Sequence, residues 1–364
     1  GTPVDRGAVG IGVELALGHF SSENPDLPVK LLIRDTRSDP DEAAYGVRTF
    51  ASRRTTVIIG PIATAESAAE NAQMEKTPII TLTLKDGITE YGDYVFRNFL
   101  TPEMQIRTLV SFVTAKLGLN RFAILYPDEK YGNSLMNLFW DEVIAQGATV
   151  VGVEAYQPDE TDYETPLKKL AGLHYDLPDE YRPRAEKDEN SGNANRKEVD
   201  EDTPEPIVDF DAIFIPDTPV KSGMIIPQLA YYDITGVNLL GTNLWHSGDF
   251  LEMVRDFARG AILTDGFFAA SESPEIRAFV EEFRNTYGEI PGFMEAIAYD
   301  TTIMALEVLK SPDVKNREDF KNCLLVLRDF SGVTGKTSFN HKGEAVKDTY
   351  VLQVQKGDFV ELSR

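Results

Sequence analysis

The sequence predicts an α/β protein with two Rossmann-like lobes, each built on a parallel sheet. Short apolar runs rich in β-branched residues alternate along the chain with amphipathic stretches of helical periodicity. Such alternation is typical of parallel strands joined by right-handed helical crossovers. The series begins again near residue 121, and 364 residues are enough for two hydrophobic cores. We therefore predict two successive lobes of the same class.

The first series contains three predicted strands, over residues 29–34, 56–60 and 78–82. A helix is predicted to begin after Asp39, because the Asp39 side chain can accept a hydrogen bond as the N-cap and Pro40 suits the first turn. Further helices are predicted over residues 64–75 and 101–117, the latter closed by Gly118.

The second series has predicted strands at 121–126, 148–155, 212–215 and 238–241, and predicted helices at 131–146 and 163–170, with one more after each of the last two strands. Three helices follow, over residues 273–287, 293–309 and 317–327. The end of the chain, residues 349–354 and 357–362, predicts a hairpin with a Lys-Gly turn.

Residues 174–209 interrupt this pattern, because they are charged, mainly acidic and poor in apolar side chains. A segment of this composition buries too little apolar surface to offset the entropy of ordering. We predict a mobile surface insertion, and a partner-docking arm is the alternative.

The charge excludes one class of partner. A formal net charge of -23 argues against nucleic acid, whose phosphates need a Lys/Arg surface, and disfavours anionic membranes. The single cysteine, Cys323, allows no disulfide framework and no cysteine-based zinc site. No apolar run reaches the length that spans a bilayer, so we predict no membrane-spanning segment.

Catalytic signatures are absent from the sequence. There is no P-loop, His-Glu-x-x-His or Gly-x-Ser-x-Gly motif, and the four histidines lack metal-ligand spacing. Gly7, Gly10 and Gly12 resemble a dinucleotide fingerprint only faintly, since no strand precedes them and Leu15 replaces the third glycine. We predict a binding protein that is not an enzyme and that holds no metal or cofactor.

Loops at the carboxyl ends of parallel strands are the candidate binding positions. Thr64 and Ala65 lie between a predicted buried strand and a helix, where a hydroxyl and backbone N–H groups can meet a carboxylate. Thr64 either caps this helix, contacts a ligand, or does both. Thr83 and Lys85 follow the next strand, and Lys85 either attracts an anionic ligand or is simply a solvated lysine.

Several motifs in order resemble the type I periplasmic binding proteins of the Leu/Ile/Val-binding family. The resemblance covers nearly the whole chain apart from the acidic insertion. Its motifs are Gly60-Pro followed by a threonine, Pro78-Ile-Ile-Thr, Tyr94-Val-Phe-Arg-Asn, Tyr126-Pro with Tyr131-Gly, Gly147-Ala-Thr-Val-Val and Ala298-Tyr-Asp.

Three further motifs are similar to the branch that contains lipoprotein activators of penicillin-binding proteins. They begin at Arg97 (Arg-Asn-Phe-Leu-Thr-Pro-Glu-Met-Gln), at Asp211 (Asp-Ala-Ile-Phe-Ile-Pro-Asp) and at Leu240 (Leu-Gly-Thr-Asn-Leu-Trp). Members of that branch share the fold, and some act by protein contact rather than in transport.

The resemblance implies two lobes joined by three hinge crossovers, near Gly118, His246 and Ser331. Lobe 1 is then residues 1–118 plus 247–330, and lobe 2 is residues 119–246 plus 331–364, with the insertion 174–209 in lobe 2. The family begins with a strand that this sequence does not contain, so we expect lobe 1 to lack its usual first strand.

The resemblance also implies ligand-binding positions. The positions that bind a ligand carboxylate in the family match Thr64 with Ala65 and the Leu82–Thr83 region of this sequence. A tyrosine of the family's other lobe matches Tyr131. The family's acid for a ligand ammonium belongs in the loop that here contains Asn243 and Trp245 and no acid, which argues against a plain α-amino acid. Trp245 either stacks on a ligand or fills the cleft.

Two functions follow as hypotheses. The first is an exported, periplasmic solute-binding protein, with or without a lipid anchor, that closes on an amino acid or related small carboxylate for the permease of an ABC transporter. The alternative is a regulator of peptidoglycan synthesis that contacts a penicillin-binding protein.

Overall fold

The computed structural model describes residues 7–174 and 206–363, which form two compact units. Unit 1 comprises Gly1–Thr108, Thr264–Val351 and Glu361–Arg364, and unit 2 comprises Leu109–Leu263 and Leu352–Val360. Most of the acidic insertion, residues 175–205, lies outside the described residues. The predicted α/β class with parallel sheets is confirmed.

Helices and strands alternate through most of the described chain. The helices are α1 (Gly7–Glu23), α2 (Pro40–Ser52), α3 (Ala65–Met74), α4 (Pro102–Ala115), α5 (Lys130–Ala145), α6 (Glu164–Leu170), α7 (Pro219–Tyr231), α8 (Gly248–Val254), α9 (Pro274–Tyr287), α10 (Phe293–Lys310) and α11 (Arg317–Val326). The strands are β1 (Ile58–Ile59), β2 (Ile79–Thr81), β3 (Val95–Arg97), β4 (Arg121–Pro127), β5 (Thr149–Tyr156), β6 (Ala212–Phe214), β7 (Asn238–Gly241), β8 (Ile262–Asp265), β9 (Phe330–Gly332), β10 (Gly335–Phe339), β11 (Ala345–Lys347), β12 (Tyr350–Gln355) and β13 (Asp358–Ser363).

Unit 1 contains two small sheets. Strands β1, β2 and β3 pair in parallel, with Ile58 opposite Ile79 and Ile79 opposite Val95. Ile79 and Ile80 are fully buried, as expected for a parallel strand covered on both faces. Helices α2 and α3 pack in one core cluster with this sheet, and α10 and α11 pack in another. The second sheet is antiparallel, in the order β11-β10-β9.

Helix α2 begins as the sequence predicts. Asp39 has extended backbone angles, and its Oδ1 accepts a hydrogen bond of 2.9 Å from the backbone N–H of Glu42. Pro40 occupies the first turn, where its missing N–H costs nothing. This cap fixes where α2 starts.

The predicted strand over residues 29–34 is wrong. In the described chain no strand pairs with it, and Val29, Leu31 and Ile33 are 37%, 39% and 50% exposed. These side chains border a cavity of about 940 Å³ that residues 53–63 and helices α1, α2 and α10 also line. Alternating apolar residues suit a sheet, but a strand also needs a hydrogen-bonded neighbour. The missing first strand of lobe 1 stays a prediction.

Most of the largest sheet belongs to unit 2. Its strand order is β13-β12-β8-β7-β6-β4-β5, and the pairs from β5 to β8 are parallel. The apolar sides of its elements meet at Phe139 of α5, whose ring stacks on Phe214 at 4.2 Å between centroids. Strands β12 and β13 are neighbours joined through Lys356 and Gly357, which confirms the predicted hairpin.

The unit boundaries differ from the lobe boundaries inferred from the resemblance. The chain passes between units after Thr108, Leu263, Val351 and Val360, whereas we expected crossovers near Gly118, His246 and Ser331. Residues 331–351 belong to unit 1, because β10 pairs with β9 and the loop between them is bonded to α10. The assignment of functional lobes at the inferred boundaries stays a prediction.

A buried carboxylate joins α10 to the loop between β9 and β10. Asp300 is 2% exposed, and its oxygens accept hydrogen bonds from the backbone N–H groups of Val333 (2.8 Å) and Thr334 (2.7 Å) and from the Thr334 hydroxyl (2.5 Å). Burial raises the pKa of the Asp300 carboxyl, while the positive charge of Lys347 and these donors act in the opposite direction. This contact fixes the second sheet of unit 1 onto α10.

An ion pair near the start of β3 makes the stability of unit 1 depend on pH. The Lys321 ammonium donates to Asp93 Oδ2 at 2.5 Å and lowers the pKa of the Asp93 carboxyl below 3.8. A carboxyl whose pKa is lowered by folding stabilises the protein above its unfolded pKa. That contribution is lost as the pH falls through the lower, folded pKa.

Asp93→Asn is expected to lower the free energy of unfolding at neutral pH by up to about 1 kcal/mol, because solvent screens this largely exposed carboxylate. The difference between wild type and variant should shrink as the pH falls below about 3.8. Urea unfolding at several pH values in the acid range measures this difference in the free energy of unfolding. A difference that stays constant with pH would contradict the assignment.

Candidate functional site

Thr64 occupies the loop that joins β1 to α3 in unit 1. It is the N-cap of α3, but its side chain makes no capping hydrogen bond. The residue is 6% exposed, and Oγ1 has no hydrogen-bond partner among the residues that the structure describes. A buried hydroxyl without a partner is costly, and a polar group bound at this position would satisfy it.

The loop after β2 lies beside this helix end. Leu82 and Thr83 are buried, and the backbone N–H of Lys85 donates to Thr83 Oγ1 at 3.3 Å. The Lys85 ammonium lies 3.0 Å from Oε1 of Glu66, in the first turn of α3. The structure thus brings Thr64, Ala65, Leu82, Thr83 and Lys85 together in unit 1.

This part of unit 1 has the chemistry of a carboxylate site. Helix N-termini carry a partial positive charge and unpaired N–H groups, and α3 adds the hydroxyl of Thr64 at its start. Thr83 supplies a second hydroxyl nearby. Because the charge of Lys85 is already paired with Glu66 and both side chains are exposed, we assign no ligand contact to Lys85.

Tyr131 lies in unit 2, in the first turn of α5 after β4. The residue is 39% exposed and its phenol is hydrogen-bonded to the side chain of Thr242, which follows β7. Burial, assisted by the negative charges of Asp217 and Glu129, raises the pKa of the Tyr131 phenol. Tyr131 therefore remains protonated and can serve as a hydrogen-bond donor.

Trp245 packs in the interior of unit 2. Its side chain is fully buried, the indole N–H donates to Ser222 Oγ at 2.8 Å, and the ring stacks on Phe250 at 4.8 Å. Of the two roles considered for it, the structure favours packing over ligand contact. Asn243, at the start of the same turn, remains partly exposed next to Thr242.

Asp217 is a candidate site residue that sequence reasoning missed. It follows β6 and is 7% exposed, and it accepts hydrogen bonds from the Tyr156 phenol (2.5 Å) and from the backbone N–H of Thr218 (2.6 Å). In the described part of the chain, no Lys, Arg or His forms an ion pair with it. Its motif, Ile-Pro-Asp after a buried strand, was visible in the sequence.

The surroundings of Asp217 favour a positive charge. Burial and then the Asp217 carboxylate raise the pKa of the Tyr163 phenol to about 12. The same carboxylate, after burial, also raises the pKa of Tyr156. A buried carboxylate is usually paired or hydrogen-bonded, and Asp217 has only neutral partners in the described chain. This end of unit 2 is therefore suited to a cationic group.

The described residues contain no group of three or more His, Cys, Asp and Glu side chains placed to hold a metal ion. Within residues 7–174 and 206–363, no helix has the length and apolar character needed to cross a membrane.

The sequence matches the profile of a family described as "Periplasmic binding protein" over residues 7–358. The chain belongs to this family. We inferred solute binding from the order of motifs, and it is the general activity of the proteins in this family. The resemblance to the branch of penicillin-binding-protein activators receives no support.

Solved structures share the fold of this periplasmic binding protein. A structure described as a branched-chain amino acid ABC transporter of Rhodospirillum rubrum is 19% identical, with 98% of this chain and 94% of that chain covered and a TM-score of 0.82. The substrate-binding protein LivJ of Streptococcus pneumoniae, in complex with isoleucine, is 22% identical, with coverages of 97% and 94% and a TM-score of 0.63.

A solute-binding protein of Rhodopseudomonas palustris, in complex with 3,4-dihydroxybenzoic acid, is 19% identical, with coverages of 98% and 93% and a TM-score of 0.64. At these identities the likeness concerns the fold. An uncharacterised protein of Methanocaldococcus jannaschii is 24% identical over 167 residues, 42% of this chain, and the match spans 40% of that protein's length.

Proposed function

We propose that this periplasmic binding protein binds an amino acid or a related small carboxylate and delivers it to an ABC transporter. Family membership supports solute binding. Among the structural relatives, one is in complex with isoleucine and another with a dihydroxybenzoic acid, and both of these ligands carry a carboxylate. The protein binds its ligand without converting it.

The observation that carries this proposal is the unpartnered hydroxyl of Thr64. It is buried at the start of α3, where backbone N–H groups are also available to an anion. A ligand carboxylate satisfies both kinds of donor at once. Charge-assisted hydrogen bonds of this type are among the strong ones in proteins.

Asp217, considered within unit 2 alone, supports a contact with an ammonium group of a ligand. The sequence has no acid in the loop after β7, which argued against a plain amino acid, but Asp217 after β6 supplies a buried carboxylate in unit 2.

Carboxylate ligands are expected to raise the melting temperature of the protein. We would compare leucine and isoleucine with leucinamide, and 4-methylpentanoate with its amide. A ligand at about 100 times its Kd stabilises the folded state by about 2.7 kcal/mol, which a thermal scan detects. The acids should stabilise and the amides should not. Absence of any shift across the acids would contradict the proposal.

Asp217→Asn tests the ammonium position. The variant should bind leucine at least about tenfold more weakly, because it loses a charge-assisted contact. Its affinity for 4-methylpentanoate, which has no ammonium, should not change. Asp249→Asn removes the same charge from an exposed position of unit 2 and is the control. Equal losses for both ligands would contradict a contact between Asp217 and the ammonium group.

Transport by an ABC system and location in the periplasm follow from the family as further parts of this proposal, and a lipid anchor is compatible with both. The alternative function, contact with a penicillin-binding protein, has no specific observation in its favour.

A further inference from the structure

Arg97 is a buried cation at the end of β3, close to the loop that carries Thr83. The residue is 7% exposed, and its Nε donates to Glu344 Oε2 at 2.5 Å. Its Nη1 donates to the backbone carbonyls of Lys85 (2.9 Å) and Leu84 (3.3 Å). A buried arginine needs its charge compensated, which Glu344 does together with Asp86, whose Oδ1 accepts from Nη1 at 3.2 Å, but it does not need two carbonyls of an exposed loop.

The two carbonyls fix the direction of the peptide groups that contain them. In a trans peptide the C=O and N–H bonds point in opposite directions. When the Leu84 carbonyl points at Arg97, the N–H of Lys85 therefore points away from it. That N–H donates to Thr83 Oγ1 at 3.3 Å.

This arrangement determines what the Thr83 hydroxyl can do. Because Oγ1 accepts a hydrogen bond from Lys85 N–H, the hydroxyl proton is available for donation. Thr83 is buried beside the start of α3, where we place the ligand carboxylate. The hydroxyl is thereby kept as a donor toward an anion.

We propose that Arg97 is a positioning residue for carboxylate binding, which acts through the 84–85 peptide group on the hydroxyl of Thr83. The inference rests on the proposed function, because it assumes that a carboxylate binds beside Thr83. Arg97 itself does not touch the ligand.

Glu344 holds the guanidinium in the orientation that this requires. Its Oε1 accepts from the Thr89 hydroxyl at 2.9 Å while Oε2 accepts from Arg97. The backbone N–H of Arg97 also donates to the Gly343 carbonyl at 2.9 Å. The turn between β10 and β11 therefore supports the loop after β2, although the two are far apart in sequence.

A double-mutant cycle tests the inference. Isothermal titration with the acid that stabilises wild type most would be applied to Arg97→Lys, Thr83→Val and the double variant. Arg97→Lys alone should weaken binding about tenfold, because a lysine cannot hold both carbonyls and Glu344 together. In the Thr83→Val background the same change should weaken binding less than about twofold, since coupled residues are non-additive.

A merely structural role for Arg97 predicts a different result. Equal losses in both backgrounds, or no loss in either, would overturn the inference while leaving the proposed function intact. Wild type that binds none of the acids overturns both. Lys321→Met removes another buried cation of unit 1, and it should lower the melting temperature without changing affinity.

Glu344→Gln is a second variant that leaves the guanidinium in place but removes the negative charge of the partner that binds its Nε, while Asp86 is retained. It should also weaken binding, but by a smaller factor than Arg97→Lys does. Its effect should likewise disappear in the Thr83→Val background. If Arg97→Lys does not fold, this variant decides the question by the same two criteria.

Discussion

Asp300→Ala is expected to destabilise the protein by about 3–5 kcal/mol, the largest effect of any substitution that we predict. The carboxylate is buried at the point where α10 meets the loop after β9. Its removal leaves the N–H groups of Val333 and Thr334 and the Thr334 hydroxyl without their acceptor, and each such group costs about 1–3 kcal/mol.

The loss also affects a buried cation. Lys347 is 7% exposed, and its ammonium donates to Thr337 Oγ1 at 2.6 Å. The positive charge of Lys347 acts on the Asp300 carboxylate, so removing the carboxylate leaves an ammonium with less compensation in the interior. Urea unfolding monitored by circular dichroism measures the change in the free energy of unfolding.

Glu307→Ala is the matched control, because Glu307 is an exposed acid on the same helix. It should change the free energy of unfolding by no more than about 0.5 kcal/mol. If the two variants were equally stable, Asp300 would not be the contact that joins α10 to the second sheet.

Thr64→Val is expected to weaken binding of the carboxylate ligand by about 10–100-fold, because it removes a hydrogen bond to a charged group. The same change should leave the stability of the ligand-free protein unaltered or slightly higher. Oγ1 has no partner within the described residues, so valine replaces a buried, unsatisfied hydroxyl by an apolar group of similar shape.

Thr64→Ser keeps the hydroxyl and is the control for this variant. It should bind with an affinity close to that of wild type. Titration calorimetry and thermal unfolding of the ligand-free variants separate the two effects. A Thr64→Val variant that is destabilised and binds normally would identify Thr64 as a structural residue.

The sequence determined where most elements begin and end, because their signals are local. Asp39 and Pro40 start α2 as predicted, and the apolar runs at residues 121–126 and 238–241 are strands of a parallel sheet. The candidate positions Thr64 and Thr83 follow from the same reasoning, since each is placed by the strand that precedes it.

The features that the sequence left wrong, open or unnoticed depend on distant partners. Residues 29–34 alternate like a strand but have no strand beside them, and sequence alternation cannot supply that neighbour. The environment of Trp245 depends on Ser222 and Phe250, which come from different parts of the chain. Asp217 stood out only once the fold placed it beside Tyr156, without an ion-pair partner in the described chain.

The composition of unit 1 from separate stretches has a consequence for biosynthesis. Residues up to Thr108 are made first, yet the contacts of Arg97 with Glu344, and the sheet that Asp300 holds, require residues up to Val351. Unit 2 needs only one short later stretch, Leu352–Val360, to be complete. The amino-terminal stretch therefore remains incomplete while nearly the whole of unit 2 is synthesised. The loop that contains Thr83 reaches its final form among the last parts of the molecule.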